Sequence, residues 1–335
     1  MKTIITLNPW KEHLLSDAQM LIEEGQYVYR INCKTATNAN DYERLSQIIN
    51  KVLSLDCRIN VILDFGYPKN TIRAKVFNED YYIKVSEGDN VRVSFATDTF
   101  DKETLYFECD GYQESLYNNA RIVYADGENI LIVKERVNRN TWFCEVSKSG
   151  LLWGGTSYHF NPEIIVKEYD YNLIGSLIQS VGISRIGGIA LSFVEDSQEI
   201  AEFRRQFGHG IKIISKIESD QGLRRIEEVI RESDYMMLGR GDFAFNSNLS
   251  DFLYNEEKFI AACNSYGKPS IIATDILKSL TSNMFPSRGD LIDLCVIKRL
   301  NPDFIVISGQ MVKDHKLFAN LIYFLKSFGL WEQAH

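Results

Sequence analysis

The chain has 335 residues, 45% of them hydrophobic and 24% charged, and a formal net charge of −8. Its length exceeds one small domain yet fits a barrel of roughly 250 residues carrying one insertion, and its apolar fraction excludes a disordered chain. The acidic balance argues against general nucleic-acid binding, which needs a basic surface to displace counterions from phosphates.

Cys33, Cys57, Cys109, Cys144, Cys263 and Cys295 are scattered, without zinc-site spacing or the density of a disulfide framework. The opening MKTIITLNPW lacks the apolar core of a signal peptide, and no later run is long enough to span a bilayer. Reduced thiols, a cytoplasmic location and no membrane partner are expected.

In chain order, β-rich apolar runs fall at 4–7, 27–31, 61–63, 189–193, 211–214, 235–238, 270–273 and 304–307, with helix-period segments between them. Such alternation predicts an α/β fold, a (β/α)8 TIM barrel whose helices surround a closed parallel sheet. Between Arg73 and about Asn172 the texture changes. Stretches such as YYIKVSEGDNVRVSF and NILIVKERV alternate, broken by Gly, Asp and Asn. They predict a small all-β domain inserted after the third strand, with 1–73 and 172–335 forming a discontinuous barrel and 74–171 a β-barrel-like lid.

Barrel enzymes carry their chemistry at the C-terminal ends of the strands. Polar residues gather there: Arg30 and Asn32 on strand two, Asp64 on three, Lys216 and Glu218 on five, Asp242 on six and Thr274 on seven. Glu218 and Asp242 follow adjacent strands, a pair of hard oxygen donors suited to Mg²⁺ or Mn²⁺ with substrate oxygens completing the shell. Lys216 alternates with Glu218 on one strand face, where it can stabilise charge on a transferring phosphoryl group or an enolate. Singly, these residues are better read as a rim salt bridge and a helix cap; their recurrence across five strands favours a site.

The segments KIISKIESDQG, YMMLGRGDFAF and GKPSIIATDILKSL resemble the KIE, ARGD and ATQMLES motifs of the pyruvate kinase family. ITLNP, EEGQYVYRIN, VILDFGYPKNTIR, GISRIGGIALSFVEDSQEI and SNMFPSRGDLIDL are similar, in order, to its opening strand and its RLN, LDTKGPEIR, SFV and PTRAEVSD segments. VYADGENILIV and GLLWGG resemble the DDG and KGVNLPG segments of its small β domain. The resemblance covers nearly the whole chain. It implies Mg²⁺-dependent phosphoryl transfer from phosphoenolpyruvate to a nucleoside diphosphate such as ADP, giving ATP, or to another acceptor. By position, it implies that Arg30 holds the substrate phosphate, Lys216 stabilises the transition state, and Glu218 and Asp242 bind the metal. The backbone of Gly241 and the hydroxyl of Thr274 would orient the substrate carboxylate. Asn32 and Arg73 would face nucleotide phosphates, as would Lys167 in the loosely matching KEYDYNL.

Departures from the family pattern imply a changed partner. Of the oxygen ligands the family uses for a monovalent cation, Asn32 and Asp64 remain, whereas Lys34 and Phe65 replace the other two. Lys69 stands where potassium-independent members carry lysine. Lys34 or Lys69 is therefore expected to supply the lost cation's charge, making potassium unnecessary. Gly66 and Tyr67 replace the lysine and glycine of the DTKGP segment, Thr35 the histidine after RLN, Glu195 the arginine after SFV, Ala244 a glycine, and Asp275 the first glutamine of ATQMLES. Phe65 and Tyr67 are expected to fill space that nucleotide phosphates and the cation would occupy, which points to retained metal and enol chemistry with an altered partner. The chain ends soon after LFANLIYFLKSFGL, so no C-terminal regulatory domain is expected, and any homo-oligomer would assemble through the barrel.

Two other functions compete: a metal-dependent lyase or aldolase that forms an enolate from a 2-oxo acid, and a non-catalytic metabolite sensor. Lys216 and the expected lid, which would shield a phosphoryl intermediate from water, favour transfer. The retained carboxylates weigh against a sensor.

Overall fold

The computed structural model describes residues 2–34, 36, 38–66, 74–75, 81–95, 101–107, 116–124, 128–154, 158–161, 169–312 and 314–331. The chain divides into two compact units, Met1–Gly66 with Tyr169–His335, and Tyr67–Glu168. Its first strands are β1 Lys2–Leu7, β2 Val28–Asn32 and β3 Asn60–Phe65. Within the second unit lie β4 Tyr82–Val85, β5 Asn90–Ser94, β6 Thr104–Tyr106, β7 Arg121–Tyr124, β8 Asn129–Asn138, β9 Thr141–Val146, β10 Gly150–Trp153 and β11 Tyr158–Asn161. The last five are β12 Ile186–Leu191, β13 Ile213–Ile217, β14 Tyr235–Gly239, β15 Ser270–Ala273 and β16 Phe304–Ile307.

The first unit is a closed parallel barrel, ordered β1-β16-β15-β14-β13-β12-β3-β2. Strand period decides what fills it, because alternate side chains point to opposite faces. Ile4, Ile62, Ala190, Ile214, Met237, Ile271 and Val306 form a buried cluster on the inner face. Their neighbours Ile5, Leu63, Ile213, Leu238, Ile272 and Ile305 turn outward into the larger core shared with the helices. Two residues further along the inner face come Thr6, Asp64 and Lys216, and Arg30 is in register with Thr6 and Ile62. The same register that packs the barrel thus places charge at its C-terminal mouth.

The surrounding helices are begun by side-chain caps and held by apolar stripes. Asn38 accepts a hydrogen bond from the Asp41 N–H to start helix Ala39–Leu55, which buries Leu45, Ile49 and Val52. Asp196 caps Ser197–Phe207, and Ser287 with Asp290 forms a capping box at Arg288–Leu300.

The described residues of the second unit contain a six-stranded sheet, β11-β7-β8-β9-β5-β6, and the pair β10-β4. It has its own core, including Val93, Leu105, Phe107, Ile122, Leu131 and Cys144. The alternating burial of β9 follows the alternation of its sequence.

Two expected barrel strands are shifted. The fourth spans 186–191 rather than 189–193, leaving Ser192 and Phe193 in the turn beyond it, with Phe193 at φ 49°. The fifth spans 213–217 rather than 211–214, because hydrogen bonding continues through Ser215 and Lys216 after the apolar run ends.

Candidate active site

At the barrel mouth, a cavity of about 260 Å³ is lined by residues including Arg30, Asn32, Lys34, Lys216, Glu218, Asp242 and Thr274. Two of the lining side chains, Arg30 and Lys216, are held by Asp64, fully buried on β3. Asp64 Oδ2 accepts from Arg30 Nε at 2.7 Å and lies 2.5 Å from Arg30 Nη2, while Lys216 Nζ stands 3.5 Å from Oδ1. Arg30 Nη1 also donates to Thr6 Oγ1 at 3.0 Å. A guanidinium held by two strands is a preorganised anion site, since its planar fork keeps a fixed direction.

Lys216 Nζ lies 2.8 Å from Glu218 Oε1 and donates to Ser192 Oγ at 3.0 Å. Glu218 Oε2 accepts from the Phe193 N–H at 2.9 Å, so the turn after β12 fixes the carboxylate. Burial drives Lys216 below its ordinary pKa although Asp64 and Glu218 oppose it, and drives Glu218 above its own despite Lys216. Burial also raises Asp64, but Arg30, then Lys216 and Lys34, outweigh it and hold that carboxylate far below the usual range. The two side chains are in contact at a charged mouth, the setting in which a lysine meets developing negative charge.

Asp242 sits one turn past β14 in helix Arg240–Phe245, half open to the cavity. Glu218 and Asp242 therefore bring oxygen donors to one cavity from adjacent strands. They fit Mg²⁺ or Mn²⁺, which needs only one or two carboxylates when substrate and water supply the other oxygens. Among the described residues, no group of three or more His, Cys, Asp and Glu side chains could hold a metal.

Thr274 follows β15 at φ 84°, and Asp275 and Leu277 have φ 60° and 56°. This left-handed run is unfavourable for residues with a Cβ and persists only where its surroundings hold it. Arg240 does so: its Nη2 donates to the Thr274 carbonyl at 2.6 Å and its Nε to that of Ala273 at 3.3 Å. Asp293, with oxygens 2.5 and 3.0 Å away, and Glu256 at 3.4 Å balance the buried guanidinium. A Cβ on Gly241 would lie 2.9 Å from Thr274 Cγ2, so glycine permits the close approach of helix Arg240–Phe245 to Thr274.

The structure thus gathers Arg30, Asn32, Asp64, Lys216, Glu218, Asp242, Gly241 and Thr274 at one end of the barrel. Asn32 Oδ1 accepts from the Lys34 N–H at 3.0 Å. Lys34 Nζ approaches Asp242 Oδ2 at 4.0 Å. Burial pulls the Lys34 pKa down, but Glu218, then Asp64 and Asp242, raise it above its ordinary value. Lys69, Arg73 and Lys167, with Thr35 and Tyr67, lie outside the described residues.

Phe65 is a correction. It is fully buried in the strand–helix layer and stacks on Tyr42, ring centroids 6.4 Å apart and planes 5° apart. Because Asp64 points inward, period two turns Phe65 away from the mouth, and it fills no nucleotide or cation space there. Sequence reasoning also passed over Ser192 and Arg240. Both lie in segments that carry the family resemblance, and each follows an apolar run at a strand end.

Among the described residues no helix is long and apolar enough to cross a membrane. The family model described as "Pyruvate kinase, barrel domain" matches residues 1–315. Pyruvate kinase of Lactobacillus delbrueckii subsp. bulgaricus is 26% identical over 326 residues, covering 92% of this chain and 53% of that protein. The Mycoplasma genitalium pyruvate kinase is 23% identical, covering 90% and 60%, and the Thermotoga maritima pyruvate kinase 25%, covering 82% and 59%. The chain spans little more than half the length of these curated relatives.

Proposed function

The chain belongs to the pyruvate kinase family, and from that premise we propose that it is a Mg²⁺-dependent phosphotransferase acting on phosphoenolpyruvate, with a nucleoside diphosphate or another acceptor. The observation that carries this reading is the meeting of Arg30, Lys216, Glu218 and Asp242 around one cavity. Arg30 would hold the phosphate of the substrate. The N–H of Gly241 and the hydroxyl of Thr274 would orient its carboxylate. Lys216 would stabilise charge on the phosphoryl group as its bond to the enol oxygen breaks and the bond to the acceptor oxygen forms. The departing enolate then takes a proton at carbon and becomes pyruvate. Glu218 and Asp242 would hold the divalent ion, which when bound supplies further charge to the phosphoryl oxygens.

Asn32 is the described candidate for nucleotide contact, and the replacement of the family lysine by Gly66 supports an altered acceptor. A reducing, cytoplasmic setting suits the described cysteines, all of which are free.

The test is to incubate the protein with phosphoenolpyruvate, Mg²⁺ and a panel of acceptors, following pyruvate and the phosphorylated product together. Equal formation of both supports transfer and names the acceptor. Cleavage of a 2-oxo acid with no phosphate movement would replace the proposal with a lyase. Binding of phosphoenolpyruvate with no turnover would replace it with a sensor.

A further inference from the structure

Lys34 follows β2, and its aliphatic stem lies across Gly66 at the end of β3. A Cβ at position 66 would fall 2.6 Å from Lys34 Cγ and 2.8 Å from Cδ, distances no side chain tolerates. Glycine at 66 is therefore the condition for Lys34 to lie where it does. From there its ammonium reaches 4.0 Å from Asp242 Oδ2 and lines the same cavity as Glu218. These are the two carboxylates proposed for the metal.

Among the described residues the charged groups at the mouth pair one with one. Arg30 engages Asp64, Lys216 engages Glu218, and Lys34 approaches Asp242. Asp275, also at the rim, is paired with Lys278 at 3.2 Å. Among the described residues three cations therefore face three carboxylates, and a divalent ion entering alone adds two further positive charges. The Lys34–Asp242 contact is the longest of the three, and its side chains are 21% and 28% exposed. It is the pair that an incoming anion can most readily part.

We propose that Lys34 is a built-in counter-ion for Glu218 and Asp242, holding divalent affinity low until an anionic substrate takes over the ammonium. Metal and anion then bind cooperatively, and Lys34 carries the coupling. The inference rests on the metal-site reading above and concerns regulation of that site.

The experiment titrates Mn²⁺ into the full chain by calorimetry, without and with saturating phosphoenolpyruvate. Wild type is compared with Lys34→Met and Gly66→Ala, the latter keeping the charge but displacing the stem. Lys34→Met is expected to bind Mn²⁺ alone about tenfold more tightly, with most of the anion's enhancement lost. Gly66→Ala should move both quantities in the same direction, and it decides the question if Lys34→Met does not fold. Mn²⁺ affinity unchanged from wild type in the folded variants overturns the proposal. The anion-free titrations need no turnover: a wild type that never binds phosphoenolpyruvate defeats the functional reading, while tighter Mn²⁺ binding by the variants still supports the counter-ion.

Discussion

Lys216 and Glu218 meet at 2.8 Å although they stand only two positions apart, one inside β13 and the other just past its end. Strand period alone puts them on one face, so the pair is assembled by the barrel before any ligand arrives.

Replacing Lys216 by alanine is expected to lower turnover by at least roughly 10²–10³-fold while leaving the fold intact, because one preorganised charge at a reacting centre is worth that much. Pyruvate release measures the loss, and circular dichroism checks the fold. Near-normal turnover in a well-folded Lys216→Ala protein would remove this residue from the chemistry.

A Glu218→Ala, Asp242→Ala double variant should show no measurable Mn²⁺ binding by calorimetry in the presence of phosphoenolpyruvate. The two carboxylates reach the same cavity from neighbouring strands. Retained affinity would place the metal elsewhere.

Activity should be the same in potassium, sodium and tetramethylammonium salts at matched ionic strength. Asp64, which the family resemblance would make a cation ligand, is already paired with Arg30 and Lys216, which would repel a further cation. Selective stimulation by potassium would show that a cation site survives in another form.

A fourth prediction concerns stability away from the mouth. Asp234 accepts from the Ile213 N–H at 2.9 Å and Arg204 at 3.0 Å, with Lys212 at 3.3 Å. Burial works to raise its pKa, but these donors outweigh it and leave it below the ordinary value. A depressed carboxylate stabilises the fold above its unfolded-state pKa of about 3.9, and the contribution fades as pH falls through the lower folded-state value. Asp234→Asn should therefore cost about 1 kcal/mol at neutral pH, discounted for partial exposure, and the difference from wild type should shrink below about pH 4. Urea melts across that range test it; a gap that widens in acid would contradict the assignment.

The barrel was legible because its strands are apolar runs at regular spacing, and β15 and β16 fall where hydropathy alone puts them. Hydropathy ended β13 too early because its upper half turns polar at Ser215 and Lys216, the point where packing gives way to chemistry. Phe65 was misread because standing at the family's ligand position was taken to mean facing the mouth, whereas period two turns its side chain to the face opposite Asp64. The sequence put Lys34 near the mouth, but its approach to Asp242 could not be read. It depends on the turn after β2 and on the open space above Gly66, a contact between strands that no local pattern encodes.

The insertion also bears on how the barrel is completed during folding. β3 pairs with β12, Asp64 opposite Ala190, and Ser192 Oγ bonds the Phe65 carbonyl 127 residues away. Loop-closure entropy grows only logarithmically, about 0.6 kcal/mol for each doubling of length, so the added segment weighs little at equilibrium. Its weight is kinetic, since pairings distant in sequence form slowly. As the chain emerges from the ribosome, β1 to β3 must wait with the β3 edge unpaired while the whole insert and β12 are made. That edge, like the β1 edge that waits for β16, is open to misassembly, and the seam that closes it also brings Ser192 to Lys216.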